Sequence, residues 1–243
     1  MNKTEYQREI GKLRSQAQSF LNDTYTWVTI SLDAVQKTIP DEDNFFIKIP
    51  KAINYGDKLR FKEVPRGNPQ LTKDRIIRRD IINSAYVSII SAIEDFFSKA
   101  LRLMLTYDSR RLKVTISQIP MSKEISIIDF LDKNREQLID EIIFSRLNNL
   151  FYASPKAQLE YIKKITGIAF DGEMYNKWIE LKAKRDIIVH NDSTINDIYL
   201  QKTGSGEKEL LHQKIEISRD EFARIIAFLK KFVGTFEVSL RSI

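Results

Sequence analysis

Apolar residues recur at helical spacing along most of the chain, and only eight glycines and six prolines interrupt them. The pattern predicts a mainly α-helical protein. Two helices are expected at the start, from about Thr4 to Leu21 and from about Thr24 to Ile39. The first is polar enough to lie at the periphery or to need a partner. Thr38 to Gln70 holds four of the six prolines and two of the eight glycines, which predicts a long irregular or extended connection. It marks the expected boundary between an N-terminal helical extension, residues 1–70, and a helical domain, residues 71–243.

From Thr72, a suitable N-cap, to Tyr107 the chain runs without proline or glycine through "KDRIIRRDIINSAYVSIISAIEDFFSKALRLMLTY". This predicts one long helix with a very apolar middle, the spine of the core. "RRLKVTISQIP" is β-branched and suggests a short extended piece. "SIIDFLDKNREQLIDEIIFSRLNNLF" and "SPKAQLEYIKKITG" give shorter helices, the latter opening on Ser154 with Pro155 at its first position. "GEMYNKWIELKAKRDIIVHN" is a helix ending near Asn191, and a last helix opens on Ser218 with Glu221 placed for a capping box. Between them, alternating segments flank "KTGSGEK" and suggest a small hairpin before the last helix. "TGSGEK" lacks the Gly-x4-Gly-Lys frame of a phosphate-binding loop and is expected to be a turn.

At roughly 100° per residue, Trp178, Leu181, Arg185, Ile188 and Val189 fall on one arc of their helix. Arg185 thus stands in an apolar stripe, and a guanidinium there needs an acidic partner or an opening to solvent. His190 lies about 140° further round, so the two do not share a face. A second copy of the helix meeting the first across a twofold axis would bring both into one cleft. Asp186 stands one turn before His190, at a spacing that favours the imidazolium and orients the ring. Alternatively, His190 attends the last helical carbonyls and Arg185 sits in an internal ion pair.

Composition adds a little. Lys+Arg number 39 against Asp+Glu 33, a net charge of +6, which gives a mild attraction for polyanions. Arg75, Arg78 and Arg79 share a helical face, and with Lys73, Lys182 and Lys184 they suggest a groove for an RNA backbone. With no cysteine and two histidines, disulfides, thiolate chemistry and a zinc site are not expected, nor is a cofactor. His212 has no companion ligand nearby, and the aromatics of "DFFSKAL" and "FEVSL" suit a core better than a base-stacking platform. A polar N-terminus and the lack of a bilayer-length apolar run point to a cytoplasmic, membrane-free protein.

"RDIIVHND", followed by "INDIYL" and an amphipathic helix, resembles the Arg-x4-6-His signature of the HEPN superfamily (higher eukaryotes and prokaryotes nucleotide-binding). The resemblance covers roughly Thr72 to Ile243. It implies a HEPN-like antiparallel helical bundle and, in the RNase-like branches, a metal-independent endoribonuclease of a bacterial defence or toxin–antitoxin system. Arg185 and His190 match the catalytic pair, and Asp186 the polar position after the arginine, most often asparagine. Glu94 in "SAIEDFFSKALRLML" matches the acidic residue of an earlier apolar helix, although Asp95 aligns nearly as well. Asn191 is an expected supporting residue. The implied partners are single-stranded RNA, a second copy of the chain and an antitoxin or other regulatory protein. A non-catalytic nucleotide-binding, RNA-binding or dimerisation module is the alternative. Residues 1–70 match nothing in this family and are expected to gate substrate or bind a partner.

Overall fold

Local capping sets where most of the helices begin. The structure, a computed structural model, describes residues 1–39, 46–52, 58–65, 67–120, 126–168 and 170–243. The side chain of Asn2 accepts from the backbone N–H of Glu5 and opens α1 (Lys3–Thr38), a single 36-residue helix where the pattern suggests two. "LNDTYT" contains weak helix formers but no proline or glycine, so the helical ladder passes through it. Nor is its first half peripheral: Tyr6, Ile10, Ala17 and Leu21 are buried, and Val28 and Leu32 continue the stripe. The Tyr6 ring stacks on Tyr107 at 4.5 Å and its hydroxyl donates to the Leu240 carbonyl. The first residues therefore share one apolar core with the middle and end of the chain.

An antiparallel hairpin, β1 (Phe46–Pro50) and β2 (Phe61–Pro65), occupies part of the predicted connection. The rest of that connection lies partly outside the described residues. Asn68, not Thr72, caps the next helix: its side chain accepts from Gln70 and Leu71, with Pro69 at the first position. α2 (Pro69–Arg75) runs through a π turn, Ile76–Asp80, into α3 (Ile81–Tyr107). The predicted spine is thus present with one widened turn. "RRLKVTISQIP" is not a strand; it begins in a 3₁₀ turn, Ser109–Lys113, and continues without regular structure.

α4 (Ile127–Asp132), α5 (Arg135–Tyr152) and α6 (Pro155–Thr166) follow, with Ser154 capping α6 as its sequence predicts. Then come α7 (Gly172–His190), α8 (Asp197–Thr203) and α9 (Arg219–Arg241). α8 replaces the hairpin expected before the last helix. Asn196 caps its start and Gly204, at φ +68°, ends it; strand pairing survives as a bridge between Thr194 and Lys214, flanked by backbone hydrogen bonds that join Ser193 and Ile195 to Ile215, Gln213 and His212. Ser218 accepts from Glu221 N–H as expected, but the Glu221 carboxylate goes to Lys184.

α3 is the central element, packed by α1, α5, α7 and α9. Phe97 holds the centre, its ring 5.6 Å from Trp178, 5.3 Å from Phe232 and 4.6 Å from Phe236. These are edge-to-face contacts of the kind aromatic quadrupoles favour. Among the described residues no helix is long and apolar enough to cross a membrane.

Candidate functional site

α7 carries most of the singled-out residues. Asp171 starts it by accepting from Met174 N–H. At its end Asn191 and Ser193 both donate their backbone N–H to the Ile187 carbonyl, and the chain leaves through Asp192 and Ser193 at φ +47° and +62°. Left-handed backbone at two successive non-glycine residues is uncommon, and here side chains hold it. Asp192 takes the Lys214 ammonium at 2.6 Å and the Arg79 guanidinium at 3.5 Å, and those cations keep its carboxyl below the usual range. Ser193 is buried and its hydroxyl accepts from Asn83.

Arg185 meets the acidic partner its position demands. Its Nη2 reaches both Glu94 oxygens, at 3.4 and 3.3 Å. Glu94 rather than Asp95 is the acid that faces α7; Asp95 pairs with Lys99 on the exposed side of α3. Arg185 Nε lies 3.4 Å from Asp186 Oδ1 but makes no hydrogen bond, which at that distance means poor alignment. Nη1 has no hydrogen-bond partner among the described residues.

Glu94 also receives Lys182, whose Nζ lies 2.5 Å from Oε1 and donates to Gln158 Oε1 at 2.8 Å. Lys182 is only 4% exposed and Lys184, paired with Glu221 at 2.7 Å, only 6%. Desolvation pushes the Lys182 ammonium below its ordinary pKa, with Glu94 opposing. Both lysines are thus held in interior ion pairs and do not line an exposed groove with Arg75, Arg78 and Arg79. Of its other members, Lys73 is buried, Arg75 and Arg79 both pair with Asp80, and Arg78 is exposed.

His190 stands exposed on the other side of α7, in a cleft of about 310 Å³ that it shares with Asp186, Asn196, Tyr199 and Lys202. Asp186 does not pair with the imidazole; its Oδ2 holds Lys202 at 2.9 Å. Asn191 borders the cleft, with its amide spent on the Thr194 carbonyl at 2.6 Å. Arg185 and His190 thus face different neighbours, α3 for one and α8 for the other, with Asp186 between them. His212 is exposed in a turn at φ +69°.

Sequence reasoning missed Gln158, Tyr86 and Lys202. Gln158 interrupts the buried stripe of α6 that Ile162 and Ile165 continue, and a lone amide on such a stripe signals a buried polar partner. Tyr86 donates to the Leu181 carbonyl at 2.7 Å. Nothing in the sequence distinguishes Lys202 from its neighbours. Among the described residues no His, Asp or Glu side chains group in a way that would hold a metal ion. Comparison of the chain with protein-family models, with curated proteins and with solved structures finds no match.

Proposed function

We propose that the protein is a metal-independent endoribonuclease of the HEPN type, acting in a bacterial defence or toxin–antitoxin pair through Arg185 and His190. The observation that carries the reading is the pairing of Arg185 with Glu94 across α3 and α7, which leaves Nη1 open, while His190 stands unburied at the end of the same helix. The two side chains diverge within one chain, so the active unit in this proposal is a homodimer in which each copy completes the other's cleft.

In that cleft the ribose 2′-OH of single-stranded RNA attacks the adjacent phosphorus and the P–O5′ bond breaks. His190 serves proton transfer between the 2′-oxygen and the leaving 5′-oxygen, and Arg185 Nη1 stabilises charge on the phosphoryl oxygens. The products are a 2′,3′-cyclic phosphate and a 5′-OH end. Asp186 restrains the activity, because it adds negative charge where the phosphate arrives. Lys202 offsets that charge.

The test incubates the protein with total and single-stranded RNA in EDTA beside His190→Ala. Cleavage leaving 5′-OH ends, lost in an equally folded variant, is expected; a variant that cuts as fast as the parent refutes the proposal. A second reading, a non-catalytic nucleotide-binding or RNA-binding module, draws on the Asp186–Lys202 pair, which occupies the carboxylate beside His190. Binding without turnover by both proteins favours it.

A further inference from the structure

A larger cleft lies between the first half of α7, α8 and α9, and encloses about 660 Å³. We infer that it is a binding site for an organic cation, an ammonium or guanidinium on an apolar stem, and this does not rest on the ribonuclease reading. The volume is in the range of small-molecule sites. Asp171, Glu173, Glu180 and Glu207 line it beside Lys177 and Lys231, and Glu180 also lies 3.6 Å from the buried Lys184. The cleft is therefore acidic on a chain whose net charge is +6. Lys177 is drawn to Glu180 at 2.9 Å. The exposed Glu173 and Glu207 side chains have no partner among the described residues.

Acidity alone would not single out this cleft; Tyr199 does. It lines the cleft, is 8% exposed, and its backbone N–H and C=O are used by the Asn196 cap and by Thr203. Its hydroxyl has no hydrogen-bond partner among the described residues. That hydroxyl keeps solvent contact, so a bound N–H donor can reach it and pair with it. Burial, with the carboxylates of Glu180 and Glu221 nearby, pushes it up to about 12, so it remains a neutral acceptor and donor at physiological pH. Met174, Leu210 and Phe228 supply apolar wall for a stem.

Calorimetric titration of the full chain with putrescine, agmatine and an end-blocked lysine tripeptide tests the site, with butanediol as neutral control and adipate as anionic control. Saturable binding of at least one cation is expected. It should weaken about fivefold to tenfold in Glu173→Gln/Glu207→Gln and by a similar factor in Tyr199→Phe, with the melting curve unchanged. Binding of the free amines identifies a small molecule as the source of the cation; binding of the tripeptide alone identifies a partner's side chain. The inference is overturned if no cation binds at millimolar concentration, if butanediol binds as well, or if both variants bind like the parent.

Discussion

Glu94 answers two cations with one carboxylate, the buried Lys182 and the part-buried Arg185. Removing that charge strands both, and stranded buried charge costs more than the pair itself contributes. Arg185 and Glu94 retain some solvent contact, 23% and 21% of their side chains, which places the expected loss for Glu94→Gln at about 2–3 kcal/mol. Urea unfolding measures it, and an unchanged midpoint would show that Gln158 alone satisfies Lys182. The need for an acid opposite Arg185 was legible, because a guanidinium between Leu181 and Ile188 has few alternatives. The burial of Lys182 and Lys184 was not: a lysine beside an arginine reads as solvated surface until partners from other helices are in place.

At the scale of elements, α1 departs most from its sequence pattern. Its polar residues suggest a peripheral or partner-dependent segment, yet its buried stripe covers α3 and α9. Removing residues 1–39 would expose Tyr107 and Phe222, on which Tyr6 and Tyr25 stack, in what is now one core. The truncated chain is expected to lose its cooperative thermal transition and to bind a hydrophobic dye. A sharp melt near the parent temperature would show instead that the remaining helices close on themselves. Capping explains what could be read correctly: Ser154, Pro155 and Ser218 announce their helices within four residues of sequence. The π turn at Ile76–Asp80 carries no comparable local signal, since "IIRRD" suits an ordinary helix, whereas α8 does carry one, Asn196 before it and Gly204 after it, that the hairpin expectation passed over.

For the whole molecule, five tyrosines, Tyr6, Tyr86, Tyr161, Tyr175 and Tyr199, are all pushed upward, chiefly by burial. Each binds its proton more tightly folded than unfolded, so its contribution is complete below about pH 10 and is lost as pH rises through the folded value. Lys182, pushed down, has the opposite sign: the penalty of its buried charge lifts as it deprotonates below the ordinary lysine range. One lysine against five phenols leaves a net loss, and stability is expected to fall above about pH 10. Absorbance at a tyrosinate wavelength, followed beside circular dichroism, should show these phenols ionising together with unfolding. Their smooth titration in a folded protein would contradict the prediction.

The ion pairs of α7 pull in different directions: Lys182 and Arg185 toward α3, Lys182 also toward α6, and Lys184 toward α9. A rod guyed from several sides can neither spin nor slide without letting go of a charge. The azimuth of its free tip is thereby fixed from within, and whatever side chain stands at position 190 is aimed by residues it never touches.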